Sequence, residues 1–217
     1  MPKVCQTGTI ICVLCNLLFT LASFAAEEPK PRLLILGDSL TAGYGIPKST
    51  AYPALLQAKI NDAKLGWEVA NGGRSGDTTR DGLTRLSWLL KKPADILMIA
   101  LGGNDGLRGV SPAAMKKNLA KIISEARKKS PSIRIVMAGM QMPDNFGKDF
   151  QSKFEAVYAE LAKSEKATLI PFLLQGIAGD SRYNLEDQIH PNEAGHKIIA
   201  EHVWKTLEGL LKGDAAG

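Results

Sequence analysis

A short apolar run leads directly into a polar, glycine-containing loop at Leu33-Leu34-Ile35-Leu36-Gly37-Asp38-Ser39-Leu40-Thr41. Four further apolar runs of similar length recur along the chain. They are Trp67–Ala70, Ile96–Leu101, Ile133–Ala138 and Thr168–Phe172. None of the five runs alternates cleanly with polar residues, which is typical of strands buried on both faces of a sheet.

Amphipathic segments lie between these apolar runs. Their apolar positions recur at helical spacing, and they are Leu83, Leu86, Leu89 and Leu90 in one segment and Met115, Leu119, Ile122, Ile123 and Ala126 in the next. The pair Ser111-Pro112 is typical of a helix start, and a last helix is predicted over residues 192–211. The repeated strand–helix alternation predicts one α/β domain, with a parallel sheet and helices on both faces.

The composition is that of an ordinary globular protein. The chain has 217 residues, of which 45% are hydrophobic and 23% are charged, and its net charge is +5. These values exclude a disordered chain, a collagen-like repeat and a polytopic membrane protein. The positive charge is dispersed, with no block of five or more like charges, so we expect no nucleic-acid partner.

The N-terminal segment has the anatomy of a secretory signal peptide. Lys3 is the only charged side chain before Glu27, an apolar run spans Ile10–Leu21, and Ser23 and Ala25 suit the small-residue positions of a cleavage site. We predict a cleaved signal peptide over residues 1–25, a linker over 26–31, the folded domain over 32–211 and a flexible tail over 212–217. The mature protein is then periplasmic or secreted. An uncleaved membrane anchor is the alternative, although the apolar part is shorter than the roughly 20 residues of a span.

The cysteines narrow the possible chemistry. Cys5, Cys12 and Cys15 all lie within the predicted signal peptide. Neither Ile11 nor Leu14 is small, which disfavours lipid attachment to the cysteine that follows. The mature chain would contain no disulfide and no thiol nucleophile, so a hydroxyl group is the natural nucleophile candidate.

In an open parallel sheet, functional residues gather in the loops at the carboxyl ends of the strands. Polar, mostly glycine-rich segments follow the predicted strands at residues 37–41, 71–78, 102–106, 139–145 and 187–191. A nucleophilic serine needs a base, and His190 lies in the last of these segments with Asp187 three residues earlier. That carboxylate can hold one imidazole nitrogen and leave the other facing a serine. His196 and His202 lie on the last predicted helix, where we expect surface or satisfied helix residues.

Each of these residues also has a purely structural explanation. Ser39 follows a strand, where serine commonly caps the next helix, and Asp187 with His190 can form a helix start beside a histidine. Ser39 does not stand in the Gly-x-Ser-x-Gly elbow of the α/β-hydrolases, because Thr41 occupies the last position. The pattern therefore argues against that fold, although not against serine chemistry.

Acyl transfer also needs hydrogen-bond donors directed at a developing oxyanion. Gly76 can offer a backbone N–H there, and Asn104 can add a side-chain N–H. The structural alternative is that both residues only form tight turns.

Four ordered blocks resemble those of the GDSL, or SGNH, hydrolase family. They are Gly37-Asp38-Ser39-Leu40, Gly76 in Ser75-Gly76-Asp77-Thr78, Gly103-Asn104-Asp105 and Asp187-x-x-His190-Pro191. Together they cover the mature chain almost from end to end. Within the family, Leu33–Tyr44, Leu101–Gly109 and Ile189–Asn192 look especially like the periplasmic thioesterase, lysophospholipase and arylesterase group.

The resemblance implies a three-layer α/β/α sandwich with a five-stranded parallel sheet, the flavodoxin-like SGNH hydrolase fold. It implies Ser39 as nucleophile, His190 as base and Asp187 as orienting group. The implied oxyanion donors are Gly76, Asn104 and the backbone N–H of Ser39. The expected activity is hydrolysis of carboxylic esters and thioesters, with small-molecule esters, thioesters or lysophospholipids as substrates. We expect no cofactor, no metal because no ligand-like cluster is visible, no membrane span after signal cleavage, and a monomer.

Substrate contacts are expected from residues beside the catalytic blocks. They are Asp38, Leu40, Met140, Met142, Pro143 and Ile189. The two methionines flank a loop and suit an acyl-chain groove, whereas Phe172–Leu174 belong either to that groove or to the core. Gly45-Ile46-Pro47-Lys48 matches no fixed family pattern and leaves substrate choice open.

Three other functions remain as alternatives. A carbohydrate or aryl acetylesterase of the same fold would need an aromatic-lined site, and few aromatic residues (Tyr44, Phe146, Phe172 and Tyr183) are close to the predicted loops. A noncatalytic ligand-binding module on this fold would be expected to lack one of the catalytic groups. A nucleotide-binding protein would need a Gly-x-Gly-x-x-Gly loop, which residues 37–43 do not form.

Overall fold

A parallel five-stranded sheet forms the centre of the computed structural model, which describes residues 29–213. Its strands are β1 (Arg32–Gly37), β2 (Glu68–Gly73), β3 (Ile96–Ala100), β4 (Arg134–Ala138) and β5 (Thr168–Ile170). They lie in the order β2-β1-β3-β4-β5, and every neighbouring pair is parallel. The predicted five-stranded parallel sheet is confirmed.

Helices connect and flank the strands. Within residues 29–213 they are α1 (Ser39–Ala42), α2 (Tyr52–Asp62), α3 (Thr79–Leu89), α4 (Gly103–Leu107), α5 (Pro112–Lys129), α6 (Lys148–Ser164) and α7 (Glu193–Lys212), with short 3₁₀ turns at Lys48–Thr50 and Asp144–Phe146. Helix α2 packs on α7, and α5 packs on both α3 and α6. Two helix layers therefore enclose the sheet, as expected for an α/β/α sandwich.

The strand order determines where a site can form. The chain passes from β1 to β2 on one side and then to β3 on the other side of β1. A crevice opens at the carboxyl ends of strands where the order reverses in this way. Gly37 at the end of β1 pairs with Gly73 of β2 and Ala100 of β3, so the loops that follow these three strands meet at one level.

Side-chain caps fix the helix starts that the sequence predicts. The hydroxyl of Ser111 accepts from the N–H of Ala114, so the predicted Ser-Pro helix start is confirmed. The side chain of Asn192 caps α7, which begins one residue later than predicted. Lys212 is still helical and Gly213 ends the helix in the left-handed conformation, so α7 ends one residue later than the predicted end at residue 211.

Two strands differ from the prediction for physical reasons. Strand β2 continues to Gly73 through residues predicted as a loop, and a Cβ at Gly73 would lie 2.3 Å from the backbone nitrogen of Ala42. Glycine there lets the strand pass close to α1. Strand β2 is also only half-buried, because it lies at the sheet edge, so burial on both faces was wrong for it. Strand β5 ends at Ile170, just before Pro171, which has no N–H for the ladder.

The predicted signal peptide lies outside the described residues. The last residue of the predicted linker, Pro31, directly precedes β1. Its carbonyl accepts from the N–H of Glu68 in the edge strand β2 at 2.9 Å, so the linker ends in a residue that bonds to the sheet. Within residues 29–213 no helix combines the length and apolar character that crossing a bilayer requires.

The two histidines of α7 have different surroundings. His196 is buried, and its Nδ1 accepts from the backbone N–H of Tyr52 at 3.1 Å. It is thus a satisfied helix residue, as predicted. His202 is half-buried, and its Nε2 has no hydrogen-bond partner among the described residues, so it is neither a surface residue nor a satisfied one.

Burial makes His196 a source of acid sensitivity. Desolvation lowers the pKa of His196 to about 4, from a usual value of 6.5. Between these values the unfolded chain binds the proton more tightly than the folded chain, so stability is lost as the pH falls from about 6.5 to about 4. We expect His196 to contribute a loss of about 3 kcal/mol in unfolding free energy over that range.

Urea unfolding at pH 7.0 and pH 4.5 measures this loss. The pKa of Asp38 is raised to about 6, which acts in the opposite direction over the same range, so the wild type must be compared with a variant. His196→Gln keeps an acceptor for the Tyr52 N–H but has no titrating group. An equal pH dependence in the two proteins would contradict the prediction.

Candidate active site

Ser39 is held at a tight strand-to-helix turn directly after β1. The carboxylate of Asp38 caps this turn by accepting from the backbone N–H of Leu40 at 3.0 Å. A Cβ at Gly37 would lie 1.9 Å from Oγ1 of Thr41, so only glycine allows so close a turn. Gly-Asp-Ser-Leu therefore places the serine hydroxyl at the carboxyl end of the central strands.

The turn is also supported from beneath. The hydroxyl of Thr41, which is fully buried, shares a hydrogen bond of 2.7 Å with the hydroxyl of Tyr52. The side-chain amide of Asn71 donates to the backbone carbonyl of Thr41 at 2.8 Å. The short helix α1 is thus tied to both α2 and β2.

His190 and Asp187 complete a hydrogen-bonded series with Ser39. The Nε2 atom of His190 lies 3.0 Å from Oγ of Ser39, and its Nδ1 atom lies 2.7 Å from Oδ2 of Asp187. A base within 3.2 Å of a hydroxyl can accept its proton, and a carboxylate on the other ring nitrogen orients the base. The structure therefore brings together the three residues that the sequence predicts for proton transfer.

Hydrogen bonds within its own turn orient the carboxylate of Asp187. Its Oδ1 atom accepts from the backbone N–H groups of Ile189 and His190, both at 2.9 Å. The left-handed conformation of Gln188 allows this tight geometry. These hydrogen bonds, that of the His190 N–H above all, lower the pKa of Asp187 to about 2, so the carboxylate is ionised at neutral and mildly acidic pH.

Tyr44 packs against the imidazole of His190. The two ring centroids are 4.4 Å apart and the rings are tilted by 39°. About half of the Tyr44 surface is exposed, so the ring lies between His190 and solvent. The sequence indicates possible sugar stacking as a role for Tyr44, whereas the structure places its ring against the predicted base His190.

The two loop residues predicted as oxyanion donors are placed differently. Asn104 lines the cavity beside Ser39, and its Nδ2 donates to the carbonyl of Asp77 at 3.0 Å, with a longer contact of 3.4 Å to Asp38. Gly76 has a φ of +83°, and its carbonyl accepts from the guanidinium of Arg108 at 2.9 Å. Gly76 is not among the described residues that line the cavity, so its donor role stays a prediction.

Asp38 is a buried carboxylate beside the reacting groups. Burial is the main cause that raises its pKa to about 6, against the lowering effects of the Leu40 N–H and of His190. Its other oxygen faces the amide of Asn104. Asp38 therefore links the Ser39 turn to the Asn104 loop.

A cavity of about 530 Å³ opens beside Ser39 and His190. All six residues predicted as substrate contacts line it, namely Asp38, Leu40, Met140, Met142, Pro143 and Ile189. The run Phe172–Leu174 is divided between the two predicted roles. Phe172 and Leu174 line the cavity, whereas Leu173 is buried in the core.

Three residues in or beside the site have roles that the sequence patterns do not indicate. Leu107 lines the cavity and is about half exposed, and it lies within the range Leu101–Gly109 that resembles the family. Gly106 is a second such residue, and a Cβ there would lie 2.1 Å from the sulfur of Met142. Asp105 is buried and accepts from both the N–H and the hydroxyl of Thr79, which ties α4 to α3. The sequence feature that could have indicated a role for Asp105 is its position in the block Gly103-Asn104-Asp105.

No cluster of three or more potential metal ligands occurs among residues 29–213.

Comparison with known proteins identifies similar sequences over most of the chain. The model of the GDSL-like lipase/acylhydrolase family matches residues 35–198. Esterase TesA of Pseudomonas aeruginosa is 40% identical over 199 residues, which cover 91% of this chain and 96% of that protein. The arylesterase of Vibrio mimicus is 38% identical, with coverage of 84% and 91%.

Solved structures of related proteins are also similar to this chain over most of its length. The crystal structure of TesA superposes with a TM-score of 0.79 at 39% identity, covering 82% of this chain and 99% of that one. A psychrotrophic esterase, EstA from Pseudoalteromonas sp., also has a TM-score of 0.79, at 28% identity and with coverage of 84% and 100%. That structure is described as inhibited by monoethylphosphonate.

Proposed function

The chain belongs to the GDSL-like lipase/acylhydrolase family, and on that basis we propose that it is a serine esterase that cleaves carboxylic esters and thioesters through an acyl-enzyme. One observation carries the proposal. Ser39, His190 and Asp187 form a continuous hydrogen-bonded series at the wall of a cavity whose surface is mainly apolar. Neither a helix cap nor a turn requires that arrangement.

The first half of the reaction forms an ester of Ser39. Its Oγ attacks the acyl carbon while Nε2 of His190 takes the hydroxyl proton. The ionised carboxylate of Asp187 stabilises the imidazolium that results. Collapse of the tetrahedral intermediate breaks the bond to the alkoxide or thiolate, which receives the proton from Nε2 and leaves as the alcohol or thiol.

The second half regenerates the enzyme with water. His190 takes a proton from the water molecule as its oxygen attacks the acyl carbon of the Ser39 ester. The second tetrahedral intermediate then expels Oγ of Ser39, which recovers its proton from Nε2, and the carboxylic acid is released. In both halves the charge on the acyl oxygen is stabilised by N–H donors, for which we propose Asn104, Gly76 and the backbone of Ser39.

The cavity supports an acyl group as the part of the substrate that is bound. Met140, Met142 and Leu174 give it an apolar wall, and the flexible thioether side chains can adapt to alkyl chains of different length. Relatives are named arylesterase and thioesterase 1/protease 1/lysophospholipase L1. We therefore propose aryl esters, acyl thioesters and lysophospholipids as the substrates to test first. The N-terminal sequence pattern supports export to the periplasm or beyond.

Active-site labelling tests the proposal. A fluorophosphonate probe is expected to modify the protein with loss of esterase activity, and peptide mapping is expected to place the phosphonate on Ser39. The labelled and unlabelled proteins are then compared on p-nitrophenyl esters, an acyl-coenzyme A and a lysophosphatidylcholine. Labelling at any other residue would overturn the mechanism.

Removal of the Asn104 amide tests the donor role. Asn104→Ala is expected to lower kcat by about 10²–10³-fold and to change KM little, because the amide stabilises charge that develops only in the transition state. Steady-state kinetics on a p-nitrophenyl ester measures both constants. Asn61→Ala, on the exposed end of α2, is the matched control and should match the wild type. An unchanged kcat in Asn104→Ala would remove this residue from the mechanism.

The cavity predicts a preference for acyl chains longer than acetyl. Each methylene group that enters the apolar cavity gains about 0.8 kcal/mol, which corresponds to roughly a fourfold rise in kcat/KM until the cavity is filled. A series of p-nitrophenyl esters measures this rise. Met142→Phe should lower kcat/KM for the longer chains while the acetyl ester, as internal control, changes little. A flat profile from acetyl upward would argue against an acyl groove.

A further inference from the structure

We infer that Arg85 is a positioning residue that aligns the nucleophile turn with the donor loops, an inference that rests on the proposed function. Arg85 lies on α3, and its side chain is 14% exposed. Its Nη2 atom donates to the carbonyl of Gly37 at 2.9 Å, two residues before Ser39. Its Nε atom donates to the carboxylate of Asp77, the residue that follows Gly76.

Asp77 extends the alignment to the Asn104 loop. Its carboxylate is buried, with 2% exposed, and its backbone carbonyl accepts from Nδ2 of Asn104 at 3.0 Å. A single guanidinium thus holds the end of β1 and the loop after β2, and through Asp77 it also sets the position of the Asn104 amide. The three segments that would form the oxyanion site share one anchor.

The geometry explains why an arginine is needed here. The guanidinium is planar and presents donors in a rigid fork, so its Nε and Nη2 fix the carboxylate and the carbonyl at a constant separation. The carbonyl of Gly37 also accepts from the backbone N–H of Arg74, which closes the loop after β2 onto the same atom. Arg85 is not among the described residues that line the cavity, so it acts through its partners and not on the substrate.

Arg85→Lys is the central variant. Lysine keeps the positive charge opposite Asp77, but its single nitrogen cannot occupy the positions of both Nε and Nη2. We expect kcat to fall about 10- to 100-fold with KM within about twofold, because small misplacements of catalytic groups are costly in the transition state. The rate of fluorophosphonate labelling should fall by a similar factor.

A matched control is available at the same carboxylate. Arg74 pairs with Asp77 from the solvent side, at 2.7 Å, and its side chain is 66% exposed. Arg74→Gln removes that ion pair, of which only the arginine is exposed, and leaves both contacts of Arg85 in place. We expect its kcat to stay within about twofold of the wild type.

A double-mutant cycle separates positioning from simple loss of stability. If Arg85 acts through the donor loops, Arg85→Lys should have less than half its logarithmic effect on kcat when Asn104 is already alanine. Thermal unfolding is measured for every variant, and kinetics are run well below each Tm. If Arg85→Lys does not fold, Asp77→Asn replaces it in the same cycle.

Each outcome has one interpretation. A lowered Tm with unchanged kcat in Arg85→Lys would make Arg85 merely structural and overturn the inference, as would fully additive effects in the cycle. These results would leave the proposed function intact, provided that Asn104→Ala alone shows its expected loss. A normal kcat in Asn104→Ala would instead show that the donor role in the proposed function has failed, and the inference would fall with it.

Discussion

Replacing Ser39 by alanine is expected to reduce kcat for ester hydrolysis by about 10⁴–10⁶-fold. The hydroxyl is the only group of the hydrogen-bonded series that can form the acyl-enzyme, so its loss leaves only what the donors and the cavity provide. Ser39 is almost fully buried, but serine and alanine differ by one oxygen atom, so we expect the fold to be kept. Initial rates with a p-nitrophenyl ester, together with circular dichroism, measure both effects.

Fluorophosphonate labelling provides a second measurement for Ser39→Ala and should be abolished. Ser87→Ala, on the exposed surface of α3, is the matched control and should keep both activity and labelling. Retention of more than about one hundredth of the wild-type kcat in a purified Ser39→Ala protein would contradict the assigned nucleophile.

Replacing Asp187 by asparagine is expected to lower kcat by about 10³–10⁴-fold. The carboxylate holds the Nδ1–H of His190 and stabilises the imidazolium, and an amide can donate to Nδ1 and favour the wrong tautomer. Asparagine can still accept from the backbone N–H groups of Ile189 and His190, so the turn should remain. The measurement is kcat against pH on one ester.

The pH profile adds a check on the role of Asp187. Because the pKa of Asp187 is lowered to about 2, its protonation should not limit the wild-type rate between pH 4 and pH 8. Asp180→Asn, which removes a partly exposed carboxylate that pairs with the exposed Arg182, is the matched control and should leave kcat unchanged. An Asp187→Asn protein within tenfold of the wild type would show that His190 does not depend on this carboxylate.

The order and type of the elements could be predicted because their signals are local. The run Leu33–Leu36 is fully buried in β1, and Ser111 and Asn192 cap helices as their side chains permit. The limits of β2 and β5 could not be predicted as well. The end of β2 depends on how closely Gly73 approaches α1, and the end of β5 depends on the strand hydrogen bond that Pro171 cannot donate. Both depend on neighbouring segments of the folded chain.

In the candidate site, too, some residues could be predicted from local sequence and others depend on packing. Ser39, Asp187 and His190 could be chosen from residue type and from four short blocks, and the six predicted substrate contacts all line the cavity. Arg85 could not be chosen, because an arginine on an amphipathic helix is ordinarily a solvated residue. Nothing in the sequence near Arg85 indicates that its partners are Gly37 and Asp77.

Local sequence patterns are sufficient to predict the α/β alternation, the glycine-rich turns after the strands and the residue types available for chemistry, because apolar periodicity and turn preferences act over a few residues. Which of these groups come into contact depends on how the folded chain packs. Ser39 and His190 are separated by 151 positions, yet their side chains lie 3.0 Å apart. That contact arises because parallel strands end at one edge of the sheet and bring distant loops together there.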